Sequence, residues 1–355
     1  MQLQERINAF VSLGQFLGQF PTQAETSKKE DLPFNDAFYD RMLSQIQTAK
    51  HGNGWFTEDN IHFACKSWSE ALSEENLNRW MSSYNISENA SSKTVGLIMA
   101  GNIPLVGFHD FLTVLLSGHR VIAKLSSNDK ALLPFLAEYL VAVAPELKEN
   151  IRFSEEKLAG FDAVIATGSN NSARYFEYYF GKYPHIIRKN RNSVAVLTGN
   201  ETPEQMIALS DDVYQYFGLG CRNVSKIYLP KDYNFDAFFN GMYAWKSVIN
   251  NHKYINNYDY NKAVYLMSNI KLLDNEFLLL KEDTGFSSPI SVVFYETYND
   301  LAAVQATLSE EKENIQCVVS TAGLVGELGF GEAQSPQLWD YADGVDTMEF
   351  LLKLY

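Results

Sequence analysis

Cys221 is the residue of this chain best suited to covalent chemistry. It closes Phe217-Gly218-Leu219-Gly220-Cys221, a glycine-rich turn between a helical stretch and a strand. Glycines there let the backbone approach a substrate and take angles denied to other residues. Arg222 follows at once, and an adjacent guanidinium favours the thiolate, the nucleophilic form of cysteine. The competing reading is a buried structural cysteine. Cys65 and Cys317 stand in apolar helix-like and strand-like contexts and read as core. Asn102 lies in a turn after a strand, where its amide could donate to a developing oxyanion, or could simply shape the turn. Lys124 ends another strand, at the edge where open parallel sheets bind ligands. It suits ribose or phosphate oxygens, and its plain alternative is a solvated lysine. Thr167-Gly168-Ser169 joins a strand to a helix whose first N–H groups could face a pyrophosphate. The full Gly-x-Gly-x-x-Gly pattern is missing, so an ordinary strand-to-helix turn is the alternative. His51, His62, His109, His119, His185 and His252 are scattered without metal-ligand spacing, although His109 and His119 fall near the Asn102 turn.

These residues need a scaffold, and the apolar patterning supplies one. Residues 1–90 read as helical, with Ile7, Phe10, Val11, Phe16, Leu17 and Phe20 forming one stripe and Trp68, Leu72 and Leu77 falling in another. His51-Gly52-Asn53-Gly54 marks a turn between them. From Thr94 the texture changes. Thr94–Ala100, Val121–Ala123, Ala163–Ala166, Ser193–Leu197 and Lys226–Leu229 are short apolar runs of strand length, with Ser291–Tyr295 and Gln316–Ser320 as further candidates. Helical stretches alternate with them: Phe108–Leu116 stopped by Gly118, Asp129–Val143 ended by Pro145, and one running through Phe180. Thr202 opens another as N-cap, with Pro203 at the first position and Gln205 completing a capping box. That helix should run to about Tyr216. Such alternation implies βαβ units and a parallel sheet covered on both faces.

Composition narrows the function. The chain has 355 residues, enough for two or three domains, with 46% hydrophobic and 20% charged residues. A formal net charge of −14 disfavours phosphate backbones and anionic lipid, so neither nucleic acid nor a membrane surface is an expected partner. Three unpaired-looking cysteines argue against a disulfide framework and a zinc site, and fit a reducing compartment. The start, MQLQERINAF, does not read as a signal peptide. No apolar run approaches the roughly 20 residues needed to span a bilayer. The expectation is a cytoplasmic protein without a metal.

The order of the motifs carries a resemblance. A strand leads to Asn102-Ile103-Pro104-Leu105. A later strand ends in Val121-Ile122-Ala123-Lys124, and another runs into Thr167-Gly168-Ser169. Then come the Gly-x-Gly-Cys turn and Cys221 to Pro230, reading Cys-Arg-Asn-Val-Ser-Lys-Ile-Tyr-Leu-Pro. Over about residues 94–350 this resembles the aldehyde dehydrogenase superfamily, and most of all its acyl-CoA reductase branch, which includes the fatty acyl reductase of bacterial luminescence. The resemblance implies an α/β fold with a Rossmann-type nucleotide-binding domain, an α/β catalytic domain and a helical N-terminal region. The expected limits are 1–90 for the helical region, 91–198 for the nucleotide-binding domain and 199–325 for the catalytic domain. A segment 326–355 should return to the cofactor domain, and the active site should lie in the cleft between the two domains.

The same resemblance implies roles. Cys221 is the nucleophile, and Asn102 with the backbone N–H of Cys221 holds the oxyanion. Lys124 binds the adenosine ribose, with Thr167, Gly168 and Ser169 beside the pyrophosphate. Hydrolytic relatives carry a glutamate in a Glu-Leu-Gly-Gly-Lys segment that activates water. The matching stretch here, Ile187-Arg188-Lys189-Asn190-Arg191, has no acid, which favours reduction of a thioester over oxidation of an aldehyde. NAD-preferring members often place a glutamate three positions after the lysine. Ser127 stands there, which points to NADPH over NADH. Glu282 falls near a second family glutamate, with its role open. The implied reaction is NADPH-dependent reduction of a fatty acyl-CoA, or another acyl thioester, through a thioacyl-cysteine. The implied partners are an acyl-protein synthetase and further copies of the chain. Two alternatives stay open: an oxidative aldehyde dehydrogenase, and a non-catalytic relative that binds a nucleotide or a partner protein.

Overall fold

In a computed structural model, which describes residues 1–87 and 91–354, the chain divides into two compact units, Met1–Lys189 with Gln337–Tyr355, and Asn190–Pro336. The first unit opens with four helices: α1 (Leu3–Leu17), α2 (Asn35–Gly52), α3 (Glu58–Ala71) and α4 (Glu74–Met81). The expected limit at 90/91 falls beside residues 88–90, which lie outside the described residues. Next come β1 (Thr94–Ile98), α5 (Phe108–Leu116), β2 (Arg120–Lys124), α6 (Leu132–Val143), β3 (Ile151–Phe153), β4 (Ala163–Thr167), α7 (Asn170–Phe180) and β5 (His185–Arg188).

The five strands form one parallel sheet in the order β3-β2-β1-β4-β5. The chain winds one way from β1 to β3 and then places β4 on the other side of β1. The gap between β1 and β4 is therefore a topological switch point, the place where open α/β sheets hold ligands beyond the strands' carboxyl ends. The central strands are buried along most of their length, which is why they read as unbroken apolar runs. Phe10, Phe16 and Leu17 of α1, with Phe108 and Leu112 of α5, join the sheet residues in one continuous core. Gly118, at φ +86°, turns the chain out of α5 as its position suggested.

The second unit holds β6 (Asn192–Val196), α8 (Pro203–Tyr214), β7 (Val224–Pro230), α9 (Phe235–Met242), α10 (His252–Met267), β8 (Leu272–Asp274), β9 (Leu279–Glu282), β10 (Val292–Tyr298), α11 (Leu301–Glu310) and β11 (Ile315–Ser320). Its sheet runs β11-β6-β7-β10-β9-β8, parallel except for the antiparallel β8–β9 pair. A last helix, α12 (Thr347–Leu352), lies in the first unit, where Met348 and Leu351 enter the core.

The structure moves the expected limit at 198. β6 pairs with β7 and β11 in the second sheet, so the division falls at Lys189/Asn190. A buried strand's pattern shows that it pairs, but not with which sheet. Residues 326–336 likewise group with the second unit, and the return to the first begins at Gln337. Among the described residues, no helix is long and apolar enough to cross a membrane, and no group of three or more His, Cys, Asp or Glu could hold a metal ion.

Candidate active site

The carboxyl edge of the first sheet gathers most of the residues singled out above. The turn after β1 carries Asn102, half-buried, and passes through Leu105 at φ 58° into α5. It is held against the loop after β2. A Cβ on Gly101 would lie 2.6 Å from the Cβ of Ser126, so only glycine lets the two segments touch. The Asp129 carboxylate faces the backbone N–H groups of Leu105, Ala131 and Leu132, which pull its pKa down, while burial pushes it up and wins. Asp129 was expected to begin a helix, but α6 starts at Leu132. The acid stands outside it because it ties the Asn102 turn to the β2 loop.

Lys124 ends β2, and its Nζ donates to the Glu156 carbonyl at 3.1 Å. An ammonium has three donors, so one such bond leaves capacity for a ligand. Ser127 is exposed in the following loop. Thr167 ends β4, and Ser169 is the N-cap of α7, its hydroxyl accepting from Ser172 N at 3.2 Å. Gly168 has a packing reason of its own: a Cβ there would lie 2.9 Å from both Ser172 and Phe176.

Between β1 and β4 lies a narrow crevice, lined among others by Met99, Ala100, Val106, Gly107, Asp110 and Thr167. Asp110 stands in the first turn of α5, buried, and one of its oxygens is ion-paired with Arg188 at the end of β5. Arg188 also donates to Thr347 Oγ1 at 2.9 Å, which ties α12 to this edge. The other Asp110 oxygen, Oδ1, is buried and has no hydrogen-bond partner. Arg188 belongs to the acid-free stretch 187–191, so that stretch brings a paired cation to its strand end.

Cys221 lies in the second unit. It is exposed and forms no disulfide. The capping box of α8 is present, with the Thr202 hydroxyl accepting from Gln205 N and the Gln205 side chain accepting from Thr202 N. The helix ends at Tyr214, short of Tyr216, because the chain turns left-handed at Tyr216 (φ 55°), Phe217 (φ 60°) and Gly218 (φ 75°). Such angles cost a non-glycine residue about 1–3 kcal/mol each and persist only where neighbours enforce them.

Asn223 is that enforcer. Its Oδ1 accepts from Gly220 N at 2.8 Å, and its Nδ2 donates to the carbonyls of Gln215 at 2.9 Å, Asp212 at 3.1 Å and Val213 at 3.4 Å. One side chain thus satisfies the last carbonyls of α8 and pins the residue before the cysteine. The Ser193 hydroxyl donates to the Cys221 carbonyl at 3.0 Å. Asp212, buried in α8, accepts from Gly331 N at 2.6 Å and Ala333 N at 3.0 Å.

Sequence reasoning quoted Asn223 only as part of a motif. An asparagine three residues after a turn glycine is a recognisable backbone-bonding position. Asp110, Ser193 and Asp212 carry no local signal, since their partners are distant in sequence. The Arg222 Nε donates to the Ala333 carbonyl at 2.6 Å, which ties the Cys221 loop to a distant segment of the same unit. Cys317 is half-buried in β11 with its sulfur 3.0 Å from Ser193 Oγ, whereas Cys65 is fully buried as expected. His109 and His119 bond the carbonyls of Leu338 at 2.8 Å and Leu351 at 3.0 Å, and burial pushes both pKa values down. Both histidines fasten the C-terminal segment. Glu282 ends β9 and is exposed.

Comparison with known proteins bears out the resemblance. Residues 69–236 match the profile of a family described as acyl-CoA reductase (LuxC). No curated protein matches the sequence. Among solved structures, aldehyde dehydrogenase 21 from Physcomitrella patens, in complex with the reaction product succinate, superposes with a TM-score of 0.68 at 13% identity, over 100% of this chain and 84% of that one. The Mycobacterium tuberculosis aldehyde dehydrogenase complexed with NAD+ gives 0.58 at 13% identity, over 90% and 73%. An aldehyde dehydrogenase from Bacillus cereus, also an NAD+ complex, gives 0.61 at 12%, over 92% and 73%. The fold is the α/β fold of aldehyde dehydrogenases, and the profile match supports reductase-type chemistry on an acyl or aldehyde group.

Proposed function

We propose that this chain is a nicotinamide-dependent acyl thioester reductase in which Cys221 carries the acyl group. The observation that carries the reading is the Cys221 loop: an exposed thiol that follows the left-handed residues Tyr216, Phe217 and Gly218 and that Asn223 and Ser193 hold in place. Strain kept in the turn that leads to an exposed nucleophile is a common mark of a working site. The profile match to acyl-CoA reductases covers this cysteine and supports the same assignment.

The carboxyl edge of the first sheet fits a nicotinamide nucleotide. It offers a crevice at the switch point with a buried unpartnered acceptor, a lysine ending β2 and the start of α7 after Thr167-Gly168-Ser169. In this reading Lys124 holds the adenosine ribose, and Gly168 and Ser169 border the pyrophosphate. The lack of an acid at Ser127 favours NADPH, because a carboxylate there would repel a 2′-phosphate.

The chain's residues then act in order. The Cys221 thiolate attacks the thioester carbonyl and forms a C–S bond. Asn102 and the Cys221 N–H share the oxyanion. The bond to the departing thiol breaks, leaving an acyl group on Cys221. The nucleotide, when bound, supplies a hydride to that carbonyl carbon. Cys221 then leaves as thiolate and frees the aldehyde. No carboxylate stands in residues 187–191 to activate water against the acyl-enzyme.

The test is direct. The protein is incubated with acyl-CoA of several chain lengths without nucleotide, and intact mass and peptide mapping are read. An acyl adduct on Cys221, absent in Cys221→Ala, is expected. A folded protein that takes no acyl group from any chain length sinks the assignment.

A further inference from the structure

Asp110 has more to offer than its ion pair uses. The carboxylate is 7% exposed, and its Oδ2 is committed to Arg188. Its Oδ1 is buried without any partner. A buried acceptor left unsatisfied costs about 1–3 kcal/mol, and more when charged. Proteins rarely keep such an atom unless something fills the need. Asp110 is also the one charged residue lining the crevice between β1 and β4, and Thr167 is the only other polar side chain there.

We infer that Asp110 Oδ1 accepts a hydrogen bond from an uncharged N–H donor of a bound ligand, an amide, at the β1/β4 switch point. The inference rests on the reductase reading above. Three observations fix the chemistry. The remaining carboxylate oxygen has only lone pairs to offer, so the ligand atom must be a donor. Arg188 already balances the charge of Asp110, so no cation is called for, and a phosphate would be repelled. The crevice is narrow, with room beside Asp110 for little more than a water-sized group, so it takes the tip of one polar group of a larger molecule. Two ligands of the reaction carry such a donor: the carboxamide of the nicotinamide ring, and the amides of the pantetheine arm of CoA.

The test is Asp110→Asn, with folding checked by thermal melting. The new amide can still accept from Arg188 through its oxygen, while its NH2 replaces Oδ1 and turns an acceptor into a donor. A second variant, Asp110→Leu with Arg188→Met, removes both charges together, because replacing a buried pair by apolar residues tends to preserve folding. Dissociation constants are measured for NADPH, for its 3-acetylpyridine analogue (which has no amide N–H), for CoA, and for adenosine 3′,5′-bisphosphate (which has no pantetheine arm).

If the nicotinamide supplies the donor, the wild type should prefer NADPH over the analogue at least tenfold. The variants should shrink that preference to about twofold or reverse it. If pantetheine supplies it, CoA should weaken at least tenfold while the bisphosphate stays unchanged. Folded variants that bind all four probes like the wild type, or weaken all four equally, overturn the inference while leaving the reductase reading in place. A wild type that binds none of them overturns both.

Discussion

Truncating Asn223 to alanine should loosen the Cys221 loop without touching the cysteine. Asn223 is 2% exposed. It makes three good bonds, from Gly220 N at 2.8 Å and to the carbonyls of Gln215 at 2.9 Å and Asp212 at 3.1 Å, plus a weaker one to Val213 at 3.4 Å. Alanine leaves one N–H and two carbonyls without partners. At about 1–3 kcal/mol for each buried orphan, and with partial relaxation, the loss should be roughly 3–5 kcal/mol. The left-handed residues Tyr216 and Phe217 then lose what holds them, and part of their strain is released, which pulls the loop further from its native path. Two assays separate the effects. Urea unfolding reads the stability change. Acylation of Cys221 by acyl-CoA reads the placement of the thiol, and it should slow at least tenfold, since a shift of about 1 Å in a reacting group costs on the order of 100-fold. Alkylation by iodoacetamide, which asks only for an exposed thiol, should change about twofold or less. Asn223→Asp sharpens the test. It keeps the acceptor for Gly220 but turns a carboxylate toward carbonyl oxygens, so it should be as damaging as alanine at neutral pH and recover as acid protonates it. An Asn223→Ala protein within about 0.5 kcal/mol of wild type, with unchanged acylation, would refute the account of how this loop is held.

Other perturbations read other parts of the molecule. Thr202→Ala should cost about 1 kcal/mol by removing the α8 N-cap, and Gln205→Ala should add less than its own single effect, because the two side chains form one reciprocal box; denaturant midpoints of the singles and the double check this. Burial pushes the Asp212 carboxyl up to about 7, against the pull of the Gly331 and Ala333 N–H bonds. The folded state therefore keeps a proton that the unfolded chain loses near 4, and stability should fall as pH rises between about 4 and 7 and then level off; melting temperature against pH should show this slope in the wild type and lose it in Asp212→Asn. Ser127→Glu should weaken NADPH binding roughly tenfold or more, about 1–2 kcal/mol of repulsion at exposed distances, while leaving NADH within about threefold; equal effects on both nucleotides would remove Ser127 from the discrimination of the 2′-phosphate.

The parts of the fold legible in the sequence were those with a local physical signature. β1, β2 and β4 are buried parallel strands, so each appears as a short apolar run ending in turn chemistry. The start of α8 was legible to the residue, because Thr202, Pro203 and Gln205 each do a job that only a helix start requires. β3, β5 and β8 were not. They are sheet edges of three or four residues, too short for a period to show. β5 is further disguised by Arg188, a charge that reads as surface until Asp110, from 78 positions earlier, is seen beside it.

The same distinction separates the residues proposed to react from those that hold them. Cys221 stands out by its glycine-rich turn, whereas Asn102 and Lys124 are ordinary turn and strand-end types that only the order of motifs singled out. Asn223, Asp129 and Asp110 look like ordinary turn and helix-start residues, and their importance lies in which backbone groups they reach. Asn223 reaches the end of α8 and Asp129 reaches the Asn102 turn. Asp110 meets Arg188 from the very stretch whose missing acid first suggested reduction. A cation at the end of β5 needs a buried carboxylate opposite it, and that carboxylate brings a spare acceptor to the crevice. Arg188, from the acid-free stretch 187–191, is thus linked through one ion pair to the acceptor proposed to grip the ligand. Reversing either partner alone should disturb both, because neither charge can be buried without the other.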